Sequence, residues 1–219
     1  KCSVSLEKWG LKRTDVIRPF DNPIGSDGTV AILRGNLAPE GSVVKHSAVP
    51  AEMFQAVLKA RPFDCEEDAI AAVLSRKIRP GDAVFIRYEG PKGSGMPEMF
   101  YTTEAISSDP ELGRSIALIT DGRFSGASKG PAIGHVSPEA ADGGPIALVE
   151  EDDLIRIDIP ARVLEIIGVK GRELPPEEIA KILEERRANL KPREPKYKKG
   201  VLKIYSEHAV SPMKGGYME

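Results

Sequence analysis

The segment that decides the fold is residues 118–126, LITDGRFSG, in which an apolar strand runs directly into a turn rich in polar and glycine residues. Residues 115–119 (SIALI) are short, apolar and uncharged, which predicts a buried strand. The two glycines of the turn permit backbone conformations that other residues resist, so Ser125 is expected on a tight turn at the strand end. A second glycine-rich segment follows at residues 130–145. Little bulk and many hydrogen-bonding groups favour a reactive site here, and an ordinary loop between strands is the alternative.

Length and charge narrow the class of protein. The 219 residues suffice for one large domain or two small ones, and one main domain is expected. The 31 basic and 33 acidic residues are interspersed and give a formal net charge of −2, so no field of one sign favours nucleic acid or an anionic membrane. No apolar run approaches the roughly 20 residues of a membrane span, and the N-terminus lacks the apolar core of a signal peptide. The sequence predicts a cytoplasmic protein whose partners include no nucleic acid and no membrane.

The two cysteines, Cys2 and Cys65, are far apart and have no CxxC spacing. By themselves they form neither a disulfide framework nor a metal knuckle. We interpret both as structural or incidental.

Hydrophobic periodicity predicts both strands and helices. Strands are expected at residues 29–33, 42–45, 83–88, 115–119, 146–149, 154–159 and 163–167. Helices are expected at residues 1–14, 64–77, 102–108, 175–187 and 201–210, with Asp64 as the N-cap of the clearest one. Strands that outnumber helices in this way indicate a mixed α/β fold, with a closed or nearly closed β-barrel and helices on its outside.

Two candidate functional side chains lie in glycine-rich loops that follow strands. Glu98 sits between a proline and a methionine, and its hard oxygen atoms suit magnesium; a solvated loop glutamate is the alternative. Ser125 at its free acidity cannot act as a base, so this role needs a nearby metal, a general base or a cation such as Arg123. A turn serine that bonds its own backbone is the alternative. Because both loops follow strands, they can converge at one site.

Three further side chains are candidates for substrate binding or loop support. Asp121 with Arg123 can orient a substrate carboxylate, and an internal ion pair is the plainer interpretation. His135 can transfer protons or hold its loop. Lys92 lies among glycines and can meet phosphate, but the segment lacks the GxxxxGK(S/T) spacing, so no nucleotide site is predicted.

Five segments resemble, in order, the C-terminal half of the dihydroxy-acid dehydratase and phosphogluconate dehydratase family. They are DVIRPFDNPI, AILRGNLAPEGSVVK, DAVFIRYEGPKGSGMPEM, ALITDGRFSGAS and GHVSPEAADGGPIALVEEDDLIRIDI. The resemblance is dense over residues 15–165 and looser through Tyr205, and the pair LITDGRFSG and GHVSPEA is highly specific. It implies an enzyme that removes water from a 2,3-dihydroxy carboxylate to give a 2-oxo acid, with an iron–sulfur cluster and a magnesium ion as cofactors.

The resemblance also implies a fold and two residue roles. In the family the C-terminal domain is a β-barrel-like swivelling β/β/α domain with flanking helices, which closes over an N-terminal α/β domain. The glutamate of GMPEM, here Glu98, is then expected to be a magnesium ligand. The serine of DGRFSG, here Ser125, is expected to be the base that takes the C2 proton. The metal would stabilise the developing negative charge, and the cluster iron would act as a Lewis acid on the departing 3-hydroxyl.

In the family, the cluster cysteines and the other magnesium ligands belong to the N-terminal domain, and neither Cys2 nor Cys65 matches their motifs. We therefore expect residues 1–14 to be a residual linker or the end of a missing N-terminal domain. Residues 15–219 are expected to be the C-terminal domain, inactive alone. Its expected partners are the N-terminal domain with its 2Fe–2S or 4Fe–4S cluster, a second subunit of a full-length homodimer, and a small-molecule substrate. An exposed apolar face is expected around Met96, Met99, Phe124 and Ile133, where the N-terminal domain or a second subunit would cover the chain.

The expected substrate is a branched dihydroxy acid of valine and isoleucine synthesis. A sugar-acid dehydratase acting on an aldonate or on phosphogluconate is the alternative within the family. A non-catalytic domain that binds an anionic metabolite and a purely structural module are the alternatives from other classes.

Overall fold

A mixed β-sheet dominates the structure, a computed structural model that describes residues 2–25, 27–126 and 128–219. The nine strands formed by these residues are β1 (Ala31–Leu33), β2 (Gly41–Val44), β3 (Gln55–Phe63), β4 (Asp82–Ile86), β5 (Ala117–Thr120), β6 (Ala132–Ser137), β7 (Leu154–Asp158), β8 (Val163–Val169) and β9 (Arg172–Glu173). Their eight α-helices are α1 (Cys2–Lys8), α2 (Arg13–Val16), α3 (Glu66–Leu74), α4 (Pro91–Ser94), α5 (Phe100–Ser107), α6 (Leu112–Ser115), α7 (Pro176–Asn189) and α8 (Val201–His208). The chain is therefore mixed α/β, as predicted. Within the described ranges, no helix has the length and apolar character needed to cross a membrane.

The strand order places the predicted site at one edge of the sheet. The order is β1-β2-β6-β5-β4-β3-β7-β8-β9, with parallel pairing among the four central strands and antiparallel pairing on both flanks. Parallel strands end at the same edge, so the chain leaves β3, β4, β5 and β6 on one side. The loops after β4 and β5 consequently start side by side.

β4 and β5 are buried on both faces, which explains their unbroken apolar sequence. Phe85 and Ile119 pack into the larger core, which also receives side chains from β1, β7 and β8. Val84, Ile86 and Leu118 point the other way, into a second core formed with α3 and α5. Since successive side chains of a strand alternate between its faces, one apolar run fills both cores.

The sheet is curled, and its two flanks meet. Arg34, directly after β1, forms a parallel bridge with Val163 of β8. The Arg34 amide donates to the Arg162 carbonyl at 2.9 Å, and the Leu164 amide donates to the Arg34 carbonyl at 2.8 Å. The predicted barrel-like architecture is therefore present as a curled nine-stranded mixed sheet.

Two residues next to Arg34 make this closure possible. The Asn36 side-chain amide donates to the Ile166 carbonyl and accepts from the Ile166 amide, both at 2.8 Å, and so extends the pairing. A Cβ on Gly35 would lie 2.3 Å from the Leu164 carbonyl oxygen. Only glycine lets the two backbones approach so closely.

Three segments differ from the sequence prediction. Residues 130–145, expected to be a loop, contain β6, whose Gly134 lies against the Phe124 ring. Residues 146–149, expected to be a strand, belong largely to the 3-10 helix Pro145–Leu148, which starts at a proline that cannot donate to a β-ladder. The strand β3 was not predicted, because its lysine, arginine and proline hide the alternation.

The start of α3 differs as well. The helix begins at Glu66 with Cys65 as its N-cap residue, so the prediction of Asp64 as N-cap is wrong. The Asp64 carboxylate instead accepts from Arg87 Nε at 2.7 Å. The bond to the guanidinium joins two opposite charges, whereas a capping bond would join the carboxylate to an uncharged amide, which accounts for the choice of partner.

Two of the side chains expected on the exposed apolar face are buried. Met99 and Ile133 are fully buried in the two cores, so the expected apolar face around them is wrong. Large exposed apolar side chains occur instead in the N-terminal segment, where Trp9 is 75% and Phe20 fully exposed, and along α8. The sequence could not distinguish these cases, since burial of a loop residue depends on what packs over it.

Candidate active site

The loops that carry Glu98 and Ser125 are joined at Arg123. Glu98 and Arg123 form a parallel backbone bridge, and the Met99 amide donates to the Arg123 carbonyl at 3.0 Å. The Arg123 side chain adds two contacts to the same loop, from Nε to the Met96 carbonyl at 2.9 Å and from Nη1 to Glu98 Oε1 at 3.3 Å. The structure thus brings together the two loops that the sequence marked, with Ser125 two residues beyond the junction.

Glu98 offers one hard oxygen ligand at this junction. Its side chain is 41% exposed, and its ionic partner is the similarly exposed guanidinium of Arg123. No cluster of three histidine, cysteine, aspartate or glutamate side chains that could hold a metal ion occurs among the described residues. The donor chemistry of Glu98 fits a magnesium ligand, while a whole magnesium site needs further ligands.

The Ser125 hydroxyl is available to another molecule. The Ser125 side chain is half-buried, and its hydroxyl has no hydrogen-bond partner within the described part of the chain. Its backbone carbonyl accepts from the Ser128 amide at 3.2 Å, which closes a turn without using the hydroxyl. This geometry does not match a turn serine whose hydroxyl bonds its own backbone.

Asp121 is a buried anchor of the site loops. Its carboxylate is fully buried and accepts from the backbone amides of Tyr88 at 3.1 Å, Glu89 at 2.9 Å and Ala140 at 2.8 Å. Burial raises the pKa of Asp121 to about 6, and the three amide bonds limit the rise. The ion pair expected between Asp121 and Arg123 is not formed, because the carboxylate is enclosed by amides and the guanidinium lies on the other loop.

His135 lies against the turn that precedes Ser125. Its amide donates to the Gly122 carbonyl at 2.8 Å, which couples β6 to the turn. Burial, with the nearby positive charge of Arg123, lowers the pKa of His135. The imidazole is therefore mainly neutral at pH 7, which suits loop support and leaves one nitrogen able to accept a proton.

The sequence prediction missed two buried glutamates beneath the Glu98 loop. The Glu139 carboxylate accepts from the Lys92 amide at 3.0 and 3.1 Å and from the Gly93 amide at 2.9 Å, at the start of α4. Burial raises the pKa of Glu139 to about 7 against the effect of these bonds. Glu89 is also buried and is bonded by the Ser94 hydroxyl.

The glycines around these buried glutamates were a signal in the sequence. A Cβ on Gly90 would lie 2.5 Å from Glu139 Oε2, so the carboxylate fits only against glycine. The glycine-rich loop after β4 is therefore shaped for close approach to a buried acid and not to a phosphate. Nothing in its spacing could show which acid that is.

Cys65 does not resemble a cluster ligand. The thiol is half-buried and belongs to a free cysteine, and burial raises its pKa. Iron–sulfur clusters are held by several thiolates, so the described residues do not fit such a group. The side chain of Cys2 lies outside what the structure describes.

A cavity of about 720 Å³ lies beside the candidate site. It is lined by Tyr88, Glu89, Lys92 and Ser206 and is covered by residues 190–198, where Arg193 stacks over the Tyr88 ring at 4.6 Å. Neither Glu98 nor Ser125 lines it. We therefore locate the candidate site at the joined loops and not in this cavity.

Comparison with known proteins finds one matching family profile and several similar sequences. Residues 15–216 match the profile of the dihydroxy-acid/6-phosphogluconate dehydratase C-terminal domain. The chain is 56% identical over 205 residues to a dihydroxy-acid dehydratase of Agathobacter rectalis, covering 93% of this chain and 35% of the relative. It is 54% identical over 209 residues to one of Clostridium kluyveri, covering 95% and 36%. It is 51% identical over 206 residues to one of Ignicoccus hospitalis, covering 94% and 35%. The chain spans about 35% of the length of these curated relatives.

Proposed function

Since this chain belongs to the dihydroxy-acid/6-phosphogluconate dehydratase family, we propose that it is the C-terminal domain of a hydro-lyase that converts 2,3-dihydroxy carboxylates to 2-oxo acids. The observation that carries this proposal is the identity of 50% or more to relatives named dihydroxy-acid dehydratase along nearly the whole chain. The joining of the Glu98 and Ser125 loops supports it independently.

The proposed substrate is a branched dihydroxy acid of branched-chain amino acid synthesis. The names of the relatives favour this substrate over an aldonate or phosphogluconate. A non-catalytic anion-binding domain is the second candidate. A Ser125 hydroxyl without a partner among the described residues, on a loop joined to the Glu98 loop, argues against it.

Ser125 is proposed to act as the base. Its ionised Oγ takes the proton from C2, the electron pair of the C–H bond forms the C2–C3 double bond, and the hydroxyl leaves C3. The resulting enol loses its hydroxyl proton and gains a proton at C3 to become the 2-oxo acid. A half-buried hydroxyl that has no partner among the described residues is free to approach the substrate in this role.

Glu98 is proposed to hold magnesium through one carboxylate oxygen. Bound magnesium would supply the positive charge that stabilises the carbanion-like transition state next to the substrate carboxylate. Arg123 keeps the Glu98 loop against the Ser125 loop through its contacts with Met96 and Glu98. Asp121 and His135 are proposed to support these loops from below.

The remaining parts of the site are proposed to come from an N-terminal α/β domain, together with the iron–sulfur cluster. In this proposal residues 1–14 lead from that domain, and residues 15–219 form the domain that swivels over it. The exposed Trp9, Phe20 and Ile24 are suited to burial against another protein surface. A homodimer of the full-length chains and a cytoplasmic location complete the proposal.

The test is an anaerobic assay of the full-length protein that carries this chain. We expect formation of a 2-oxo acid from 2,3-dihydroxyisovalerate, with kcat/KM exceeding that for gluconate and 6-phosphogluconate on the order of tenfold or more. Preference for a sugar acid would support the alternative within the family. Absence of any 2-oxo acid, with the cluster and magnesium present, would contradict dehydratase activity.

A further inference from the structure

Lys45 is a cation beside the Ser125 loop that neither the motifs nor the family comparison assigns a role. It directly follows β2, and its Nζ donates to the Gly126 carbonyl at 2.5 Å. Gly126 is the residue after Ser125, so the ammonium lies about one peptide unit beyond the proposed base. Among the residues that the structure describes, no carboxylate pairs with Lys45.

The segment that carries Lys45 also holds the far end of the same loop. The Gly130 amide donates to the Ala48 carbonyl at 3.0 Å. Directly before Lys45, Val44 pairs with Ile133 in the β2–β6 ladder. Residues 45–48 thus bond both ends of the loop beyond Ser125. The Lys45 side chain bonds Gly126, and the Ala48 backbone bonds Gly130.

Lys45 is better placed than Arg123 to act on Ser125. The Arg123 guanidinium is engaged by the Met96 carbonyl and by the Glu98 carboxylate, which offsets its charge. The Lys45 ammonium is exposed and, among the described residues, has a neutral carbonyl as its only partner, so no carboxylate offsets its charge. A cation several ångströms from a hydroxyl favours the ionised hydroxyl, and the effect grows when a site is closed from water.

We propose that Lys45 is a positioning residue for the dehydration, which anchors the loop that carries Ser125 and favours the ionised form of the Ser125 hydroxyl. The inference rests on the proposed function, because it gives Ser125 the role of base. It adds to the site a residue at the end of β2, a strand that pairs with β6 on the side opposite to β5.

The experiment uses the full-length enzyme and four variants. Lys45→Met removes both the hydrogen bond and the charge, Lys45→Gln keeps a neutral donor, and Lys45→Arg keeps donor and charge. Lys59→Met is the control, because Lys59 is exposed on β3, a strand on the opposite flank of β4. For each variant, hydrogen–deuterium exchange of peptides spanning Ser125 and Gly130 is measured beside kcat, KM and the pH profile of kcat.

The expected results separate the effect of the Lys45 hydrogen bond on the loop from the effect of the Lys45 charge on Ser125. Lys45→Met should speed exchange in the loop peptides and lower kcat about tenfold or more, with KM changed less than about threefold. The acidic limb of its kcat profile should move up by about one pH unit, because the serine ionises less readily. Lys45→Gln should restore slow exchange in the loop peptides but should leave the acidic limb of the kcat profile shifted. Lys45→Arg should restore both, and Lys59→Met should match the wild type.

Two results would overturn the proposal. One is a Lys45→Met enzyme with wild-type loop exchange and a wild-type pH profile. The other is a Lys45→Gln enzyme that recovers turnover as fully as Lys45→Arg, since the charge would then play no part. If Lys45→Met fails to fold, the comparison of the other two variants decides the same question. A wild-type enzyme without dehydratase activity would instead overturn the proposed function, and the exchange data would still test the anchor.

Discussion

At the scale of single residues, Ser125 and Glu98 should differ in how their loss affects the full-length enzyme. Ser125→Ala removes the proposed proton acceptor and leaves the other groups in place, so turnover should fall by a factor on the order of 10² or more with substrate binding little changed. Its hydroxyl has no partner among the described residues, so the free energy of unfolding should change by less than about 0.5 kcal/mol. Steady-state kinetics and urea unfolding measure the two effects.

A matched control is Ser108→Ala. The Ser108 hydroxyl bonds its own backbone, donating to the Ala105 carbonyl at 2.7 Å, and its loss should cost about 1 kcal/mol of stability and no turnover. The base assignment is wrong if the Ser125→Ala enzyme keeps its cluster and still exchanges the substrate C2 hydrogen with solvent at the wild-type rate.

Glu98→Gln should act through the metal. The amide is a weaker magnesium ligand, so both binding and turnover should fall, with partial recovery at high magnesium concentration. Loss of the exposed contact with Arg123 should cost at most about 1 kcal/mol of stability. Titration of kcat against magnesium measures the effect, and Glu104→Gln, an exposed glutamate on α5, is the control. A magnesium dependence equal to that of the wild type would exclude Glu98 as a ligand.

At the scale of elements, the start of α4 should make stability depend on pH. Folding raises the pKa of Glu139 to about 7 and that of Asp121 to about 6, so the folded chain binds more protons than the unfolded chain between about pH 4 and 7. Their contribution to stability is complete below pH 4 and is lost as the pH rises through 7. Glu139→Gln should remove about half of this pH dependence, roughly 3 kcal/mol, because the pKa shifts of Glu139 and Asp121 are similar in size and an amide does not titrate.

Urea unfolding between pH 4 and pH 8 measures that slope. The control is Glu178→Gln, since Glu178 is exposed in the first turn of α7, and it should keep the wild-type dependence. A Glu139→Gln protein with an unchanged slope would show that Glu139 does not carry the pH dependence.

At the scale of the whole molecule, the closure of the sheet depends on Gly35. Gly35→Ala places a methyl group 2.3 Å from the Leu164 carbonyl oxygen and should push β1 away from β8. Overpacking of this kind costs about 1–3 kcal/mol, so the urea midpoint should fall clearly. Gly28→Ala is the control, because no atom lies within 4 Å of the added methyl group. Equal midpoints for the two variants would mean that the flanks can separate at no cost.

Local pattern was sufficient for much of the architecture. The strands β1, β2, β4, β5, β7 and β8 and the helices α3, α5, α7 and α8 lie where periodicity predicts them, with ends shifted by a few residues. Because β-strands and amphipathic helices have their own periods, these elements could be recognised without knowing their neighbours. The shift at α3 arose from a distant partner, since Arg87 recruits the residue expected to cap the helix.

The sequence by itself determined which loops we propose for the chemistry, because Glu98, Ser125 and their glycines are local motifs. Only the tertiary structure decided what surrounds them. Asp121, Glu139 and Lys45 meet the site loops through contacts that join distant parts of the chain, and such contacts leave no period in the sequence. The closing bridge between Arg34 and Val163 is of the same kind. Such contacts form only once the sheet has curled, since their free energy comes from bringing distant backbone and side-chain groups together.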